Sequence, residues 1–158
     1  MGAEVGKPAP SFTLAGSDNT DEGRREYSLD EYRGQVVVLV FYPGDSTPVC
    51  TRQLNSYTED IDTFTEAGAQ VLAISPQSVA SHDDFSCKQG GFGFPLLADT
   101  DKSVGEAYGI LGPLGFYRRS AFVVDGDGIV RYAHRAVAGL SFRPTDELVQ
   151  AVRAASPA

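Results

Sequence analysis

The sequence predicts an α/β fold, a central mixed β-sheet flanked by α-helices, and three stretches carry that prediction. "QVVVLVFY" (35–42) is a continuous, β-branched run of the kind that forms strands buried on both faces. Soon after it, Cys50, Leu54, Tyr57, Ile61 and Phe64 recur at spacings of three and four, the apolar stripe of an amphipathic helix. Toward the other end, "RSAFVVDGDGIVRYAHR" (119–135) reads as two strands around an Asp-Gly turn.

The remaining elements fall between these anchors. "SFTL" (11–14) reads as a short strand, and the polar stretch from Gly16 to Glu26 as a turn or hairpin. In "SLDEYRG", Ser28 and Glu31 have the spacing of a capping box, which predicts a helical turn. The helix through Cys50 ends near Gly68, and "AQVLAIS" (69–75) is a second buried strand. Ser78 to Gln89 forms a shorter helix stopped by Gly90-Gly91. After "FPLLAD" comes a helical piece from Val104 to Tyr108, and Thr145 can cap a last helix, Asp146 to Ala154. The order β-α-β-α, hairpin, α implies a sandwich of helices around a mixed sheet. Thioredoxin-like folds have that order, although order alone does not single them out.

A chain of 158 residues, with no internal repeat or linker, is expected to form one domain over 1–158. A domain of that size buries roughly 68–70% of its unfolded-chain surface, so it needs no disulfide or metal staple. The net charge of −8 argues against nucleic acid and against anionic membrane surfaces as partners. The start, MGAEVGKPAP, lacks the basic and apolar regions of a signal peptide, and Gly6 breaks the myristoylation pattern. No apolar run approaches the ~20 residues that span a bilayer. The expected setting is cytoplasmic, where thiols stay reduced and a cysteine pair points to chemistry rather than to a structural bridge.

The cysteine that matters most lies in "FYPGDSTPVC" (41–50). Thr47 before Pro48 has the pattern of an N-cap residue followed by proline at the first helical position. Cys50 then falls at the third helical position, where unpaired backbone N–H groups and the positive dipole end favour an anion. A cysteine there is favoured as thiolate, the nucleophilic and oxidisable form. The alternative is a buried cysteine acting as a small hydrophobe.

These residues resemble a known family. Pro43-x-x-x-Thr47-x-x-Cys50 is similar to the active-site motif of the peroxiredoxins, thiol peroxidases with a thioredoxin-like fold. The resemblance extends from "GKPAPSFTL" through "SLDEYRGQVVVLVFYPGDSTPVC" to "FPLLADTDKSVGEAYGI" and "RRSAFVVDGDG", most of the chain. It implies that Cys50 attacks the O–O bond of hydrogen peroxide or an organic hydroperoxide and becomes a sulfenic acid. It implies that Thr47 supplies a hydroxyl and the backbone N–H groups of Val49 and Cys50 further donors to the leaving oxygen, while Pro43 shields the thiolate. The family brings an arginine just before a small-small-Phe run, which Arg119-Ser120-Ala121-Phe122 resembles. Arg118 competes for that role, but strand side chains alternate faces, so only one of the two can point at Cys50. Gln53 reads as an exposed helical glutamine, with orientation of the site as the alternative.

The chain resembles the bacterioferritin-comigratory-protein branch of the family. Many of its members carry a resolving cysteine five residues after the first, where this chain has Asn55; others carry it in the next helix, which fits Cys87. The resemblance therefore implies a Cys50–Cys87 intramolecular disulfide recycled by thioredoxin or a similar thiol reductant. It also implies a local unwinding, because a disulfide needs its Cα atoms within about 7 Å. One alternative is a one-cysteine peroxidase resolved by an external thiol; another is a non-enzymatic redox-sensing or interaction module. "GGFG" (90–93) is similar to a glycine motif of peroxide-sensitive members, but the chain ends "AVRAASPA" without their Tyr-Phe helix, so sensitivity is not inferred. No cofactor is expected, and Cys50, Cys87, His82 and His134 lack the paired spacing of a zinc site. His82 reads as a helix-surface residue, and His134 as a residue that could line a strand. The protein is expected to be a monomer or a homodimer.

Overall fold

The computed structural model describes residues 4–18, 24–43, 48–88, 91–112, 115, 117–135 and 145–155. Seven strands form one sheet: β1 (Thr13–Ser17), β2 (Arg25–Ser28), β3 (Val36–Phe41), β4 (Ala69–Ser75), β5 (Leu96–Ala98), β6 (Ser120–Val124) and β7 (Val130–Arg135). Their spatial order is β2-β1-β5-β4-β3-β6-β7. The β3–β4 and β4–β5 pairs are parallel, whereas β1–β2, β1–β5, β3–β6 and β6–β7 are antiparallel. The sheet is therefore mixed, as the sequence predicts. Every residue of β3 is buried, which its unbroken β-branched run requires of a central strand.

The helices are α1 (Pro48–Glu59), α2 (Ile61–Glu66), α3 (Val79–Lys88), α4 (Ser103–Ala107) and α5 (Thr145–Ala155), with a 3₁₀ turn over Leu29–Tyr32. At that turn the Ser28 N–H donates to Glu31 Oε1 at 3.3 Å, one half of the expected capping box. Alternation along the strands divides the interior into two cores. Val36, Val38, Val40, Ala73, Ala121 and Val123 face Cys50, Leu54, Tyr57, Phe64, Phe85 and Leu148 from α1, α2, α3 and α5. Val37, Leu39, Phe41, Leu72, Ile74 and Phe122 face Phe12, Tyr27, Val104 and Tyr108 on the other side. The face beneath the longer helices thus carries Val and Ala, and the face beneath short elements carries larger side chains.

Several elements differ from the sequence reading. The helix expected to run from Cys50 to Gly68 breaks at Asp60, whose backbone (φ −101°, ψ 15°) leaves helical values, and α2 turns to lie against β4. The first strand runs to Ser17 rather than stopping at Leu14. Gly16 permits this: a Cβ there would lie 2.5 Å from Leu97 Cδ2 and 2.8 Å from the Leu96 carbonyl oxygen of the neighbouring β5. "FPLLAD" contains β5, an inner strand too short to show a period. Thr145 is the first residue of α5, and its buried hydroxyl has no hydrogen-bond partner among the described residues, so the expected cap is not made.

Candidate active site

β3 delivers the chain through Tyr42 and Pro43 toward α1 at one end of the sheet. Because α1 begins at Pro48, Cys50 is its third residue, the position predicted for it. Its side chain is 0% exposed, in the same core as Tyr42, Leu54 and Tyr57. Pro43 is half-buried, and Thr47 lies outside the described residues.

The register of β6 brings the arginine to this point. Phe41 pairs with Ser120, so the residue before Ser120 sits beside the end of β3, where α1 also starts. Arg119 shares the parity of Ala121 and Val123, which face the Cys50 core. Its Nη1 donates to Cys50 Sγ at 3.2 Å and to Gln53 Oε1 at 2.6 Å, and the residue is only 3% exposed. Arg118 is half-buried, and its backbone N–H donates to the Ile110 carbonyl at 2.7 Å. Of the two candidates, Arg119 is the one hydrogen-bonded to Cys50.

Gln53, read from sequence as exposed, is 1% exposed and accepts from Arg119. The signal was available in its spacing: three residues after Cys50 puts it on the same helix face. A buried guanidinium needs acceptors for its fixed fork of donors, and Gln53 supplies one without bringing a competing negative charge. The arrangement is a sulfur held by a charged hydrogen-bond donor in a site closed to bulk solvent. It can orient a thiol and stabilise negative charge that develops beside it.

Cys87 lies near the end of α3 and is exposed, and both cysteines are thiols rather than a disulfide. His82, on the same helix, is not a surface residue: it is 1% exposed. Its Nε2–H donates to the Leu97 carbonyl at 2.9 Å, which leaves Nδ1 as acceptor for the Tyr42 hydroxyl at 3.4 Å. The neighbouring Asp83 accepts from the Ser17 hydroxyl at 2.5 Å and from Arg24 at 2.8 Å and 3.1 Å. Burial opposes ionisation of Asp83, but the Ser17 and Arg24 hydrogen bonds outweigh it and hold the carboxyl below its ordinary range.

His134 lies in β7, half-buried and paired in register with Ala121. Among the described residues, no three His, Cys, Asp or Glu side chains gather as a metal-ligand set, and no helix is long and apolar enough to cross a membrane. A cleft of about 480 Å³ bordered by Arg25, Tyr27, Tyr32 and Gln70 is lined by none of Cys50, Gln53 or Arg119.

The AhpC/TSA family model matches residues 5–133. Peroxiredoxin-2 of Rattus norvegicus is 38% identical over 136 residues, 82% of this chain and 68% of that protein. The reduced 2-Cys peroxiredoxin of Plasmodium vivax superposes with a TM-score of 0.86 at 28% identity, covering 94% of this chain and 79% of that one. The bacterioferritin comigratory protein of Xanthomonas campestris, described for its alkyl peroxide reduction activity, superposes with a TM-score of 0.79 at 33% identity and covers 90% of each chain. This kinship sets aside the reading as a non-enzymatic module. The chain belongs to the AhpC/TSA family and is a peroxiredoxin, an oxidoreductase of the thiol peroxidase kind.

Proposed function

We propose that the chain reduces hydrogen peroxide and organic hydroperoxides at Cys50 and is recycled through a Cys50–Cys87 disulfide. The observation that carries the reading is the buried Arg119 donor 3.2 Å from the Cys50 sulfur. The Cys50 thiolate attacks the terminal peroxide oxygen, the O–O bond breaks, and the leaving oxygen takes a proton and departs as water or alcohol. Sulfur is left as a sulfenic acid. Arg119 holds both the sulfur and the departing charge, and Gln53 holds Arg119. Pro43 and Thr47 belong to this proposal by their place in the motif, as shield and hydroxyl donor. The alkyl peroxide reduction described for the Xanthomonas relative supports organic hydroperoxides as substrates alongside hydrogen peroxide.

In the second half of the cycle the Cys87 thiol displaces the sulfenic oxygen as water, and thioredoxin or a similar dithiol reduces the disulfide. Both cysteines present as thiols fit the resting state of such an enzyme in a reducing, cytoplasmic setting. The one-cysteine reading keeps some support, because Cys50 is fully buried while Cys87 is exposed. Intact mass and thiol counting after one equivalent of hydrogen peroxide separate the readings. Loss of both thiols within one chain is the expected result. One thiol lost with an added oxygen means a one-cysteine enzyme, and two surviving thiols in folded protein sink the peroxidase assignment to Cys50. Turnover with thioredoxin should also collapse in Cys87→Ser.

A further inference from the structure

The helix that carries Cys87 is docked in an unusual way. The inward positions of α3 are His82, Phe85 and Ser86, so only one of the three is apolar. By contrast, α5 turns Leu148, Val149 and Val152 inward, with Thr145 at its first position the one polar residue among its buried four. A helix normally holds to a sheet by its apolar stripe. Here Phe85 supplies that contact, beside Phe92 at 5.1 Å and Tyr42 at 6.5 Å between ring centroids. The rest is polar: His82 to the Leu97 carbonyl on β5 and to Tyr42 after β3, and Asp83 to Ser17 on β1 and to Arg24.

Cys87 follows His82 by five residues, which turns it about 140° around the helix axis and explains why one is buried and the other exposed. Bringing the Cys87 sulfur inward to Cys50 requires α3 to rotate or unwind, and either motion works against the buried bonds of His82. Tyr42 ties the same bonds to the active site, since it precedes Pro43 and shares a core with Cys50.

We propose that His82 and Asp83 are positioning residues, a polar latch that keeps α3 docked and sets the rate at which Cys87 reaches oxidised Cys50. The proposal rests on the two-cysteine reading above. The step it controls is attack of the Cys87 sulfur on the Cys50 sulfenic sulfur. The S–S bond forms, the S–O bond breaks, and the oxygen leaves as water with the Cys87 proton. Cys87 supplies the electron pair that brings the Cys50 sulfur down to the disulfide level. While the latch is closed, the sulfenic acid waits and stays open to a second peroxide, which would carry it to the sulfinic acid with release of water or alcohol.

The test uses the whole chain, reduced, mixed with hydrogen peroxide and acid-quenched at intervals for intact mass. Sulfenic-acid formation and disulfide formation are thereby timed separately. His82→Leu removes both latch bonds of the ring. Ser17→Ala loosens Asp83 with a smaller side chain and serves if the first variant does not fold, and His82→Gln restores a donor to Leu97. The expected result is an unchanged first step, with the second step about fivefold faster in His82→Leu, the order expected for loss of a buried hydrogen bond. Ser17→Ala should move in the same direction by about twofold or more, and His82→Gln should lie nearer the wild type. The peroxide concentration that converts half the protein to sulfinic acid should rise with the second rate, and His82→Gln should bring both readouts back toward the wild type. A second step unchanged or slowed in folded variants overturns the latch and leaves the two-cysteine cycle standing. No intramolecular disulfide in the wild type overturns both.

Discussion

Replacing Arg119 by methionine isolates the contact on which the site depends. The substitution keeps a long apolar side chain and removes the Nη1 donor to Cys50 Sγ at 3.2 Å and to Gln53 Oε1 at 2.6 Å. A hydrogen bond from a charged group in a buried site contributes about 1.5–3 kcal/mol. At about 1.4 kcal/mol per decade, the second-order rate of Cys50 with hydrogen peroxide should fall about 10- to 150-fold. Gln53 loses the same donor in a site 1% exposed to solvent, so stability should drop by about 1–3 kcal/mol as well. Arg119→Lys keeps the charge on a shorter, more strongly hydrated ammonium that seats less well beside the sulfur, and should fall between the wild type and Arg119→Met. The assay is rapid mixing of pre-reduced protein with peroxide, alongside a urea melt to establish folding. An Arg119→Met protein that folds and reacts within twofold of the wild type would refute the role given to this arginine.

Gln53→Leu should slow the same reaction by about threefold to tenfold, less than loss of Arg119, because the guanidinium stays but loses an acceptor that fixes it. Asp125 holds the β6–β7 turn through the N–H groups of Asp127 and Ile129 at 2.9 Å and 3.0 Å and through Arg131 at 2.7 Å. Burial opposes its ionisation, yet these donors outweigh burial and hold the carboxyl below its ordinary range. Its stabilisation should be fully present above the unfolded value of about 3.9 and disappear as pH falls through the lower folded value. Arg131 is half-exposed and screened, so Asp125→Asn should cost about 1 kcal/mol at neutral pH, with the two urea curves converging as pH falls through the folded value of Asp125. Gly16→Ala should destabilise by about 1–3 kcal/mol in the same melt, because the added methyl meets backbone and side chain of β5.

What the sequence made legible follows from how local each signal was. β3 announced itself by six consecutive apolar residues, and the β6–β7 hairpin by its Asp and Gly turn. Cys50 at the third position of a helix followed from Thr47 and Pro48 together, an N-cap pattern with proline at the first helical position. The break at Asp60 was hidden because the apolar spacing continues across it, from Tyr57 to Phe64, whose rings still meet edge to face at 6.0 Å. β5 was hidden because three residues carry no period. His82 and Gln53 were misread for one reason: polar side chains were assigned to the surface by residue type. Their spacing to Phe85 and Cys50 put each on an inward face, and their partners, the Leu97 carbonyl and Arg119, lie far away in sequence. Composition cannot reveal that a buried polar group has found its partner.

Small side chains on one face of the sheet bear on the chemistry from a distance. Ala73, Ala121, Val38, Val40 and Val123 lie under the helical layer that holds Cys50, and Arg119 leads into the strand that carries two of them. These residues act as shims: their size fixes how high the layer rides above the sheet, and so the gap between sulfur and guanidinium. One methylene too many at Ala121 would lift the helices without altering any residue at the site, widening a 3.2 Å contact that depends on tenths of an ångström. Reactivity here is tuned by carpentry beneath the floor as much as by the residues that stand on it.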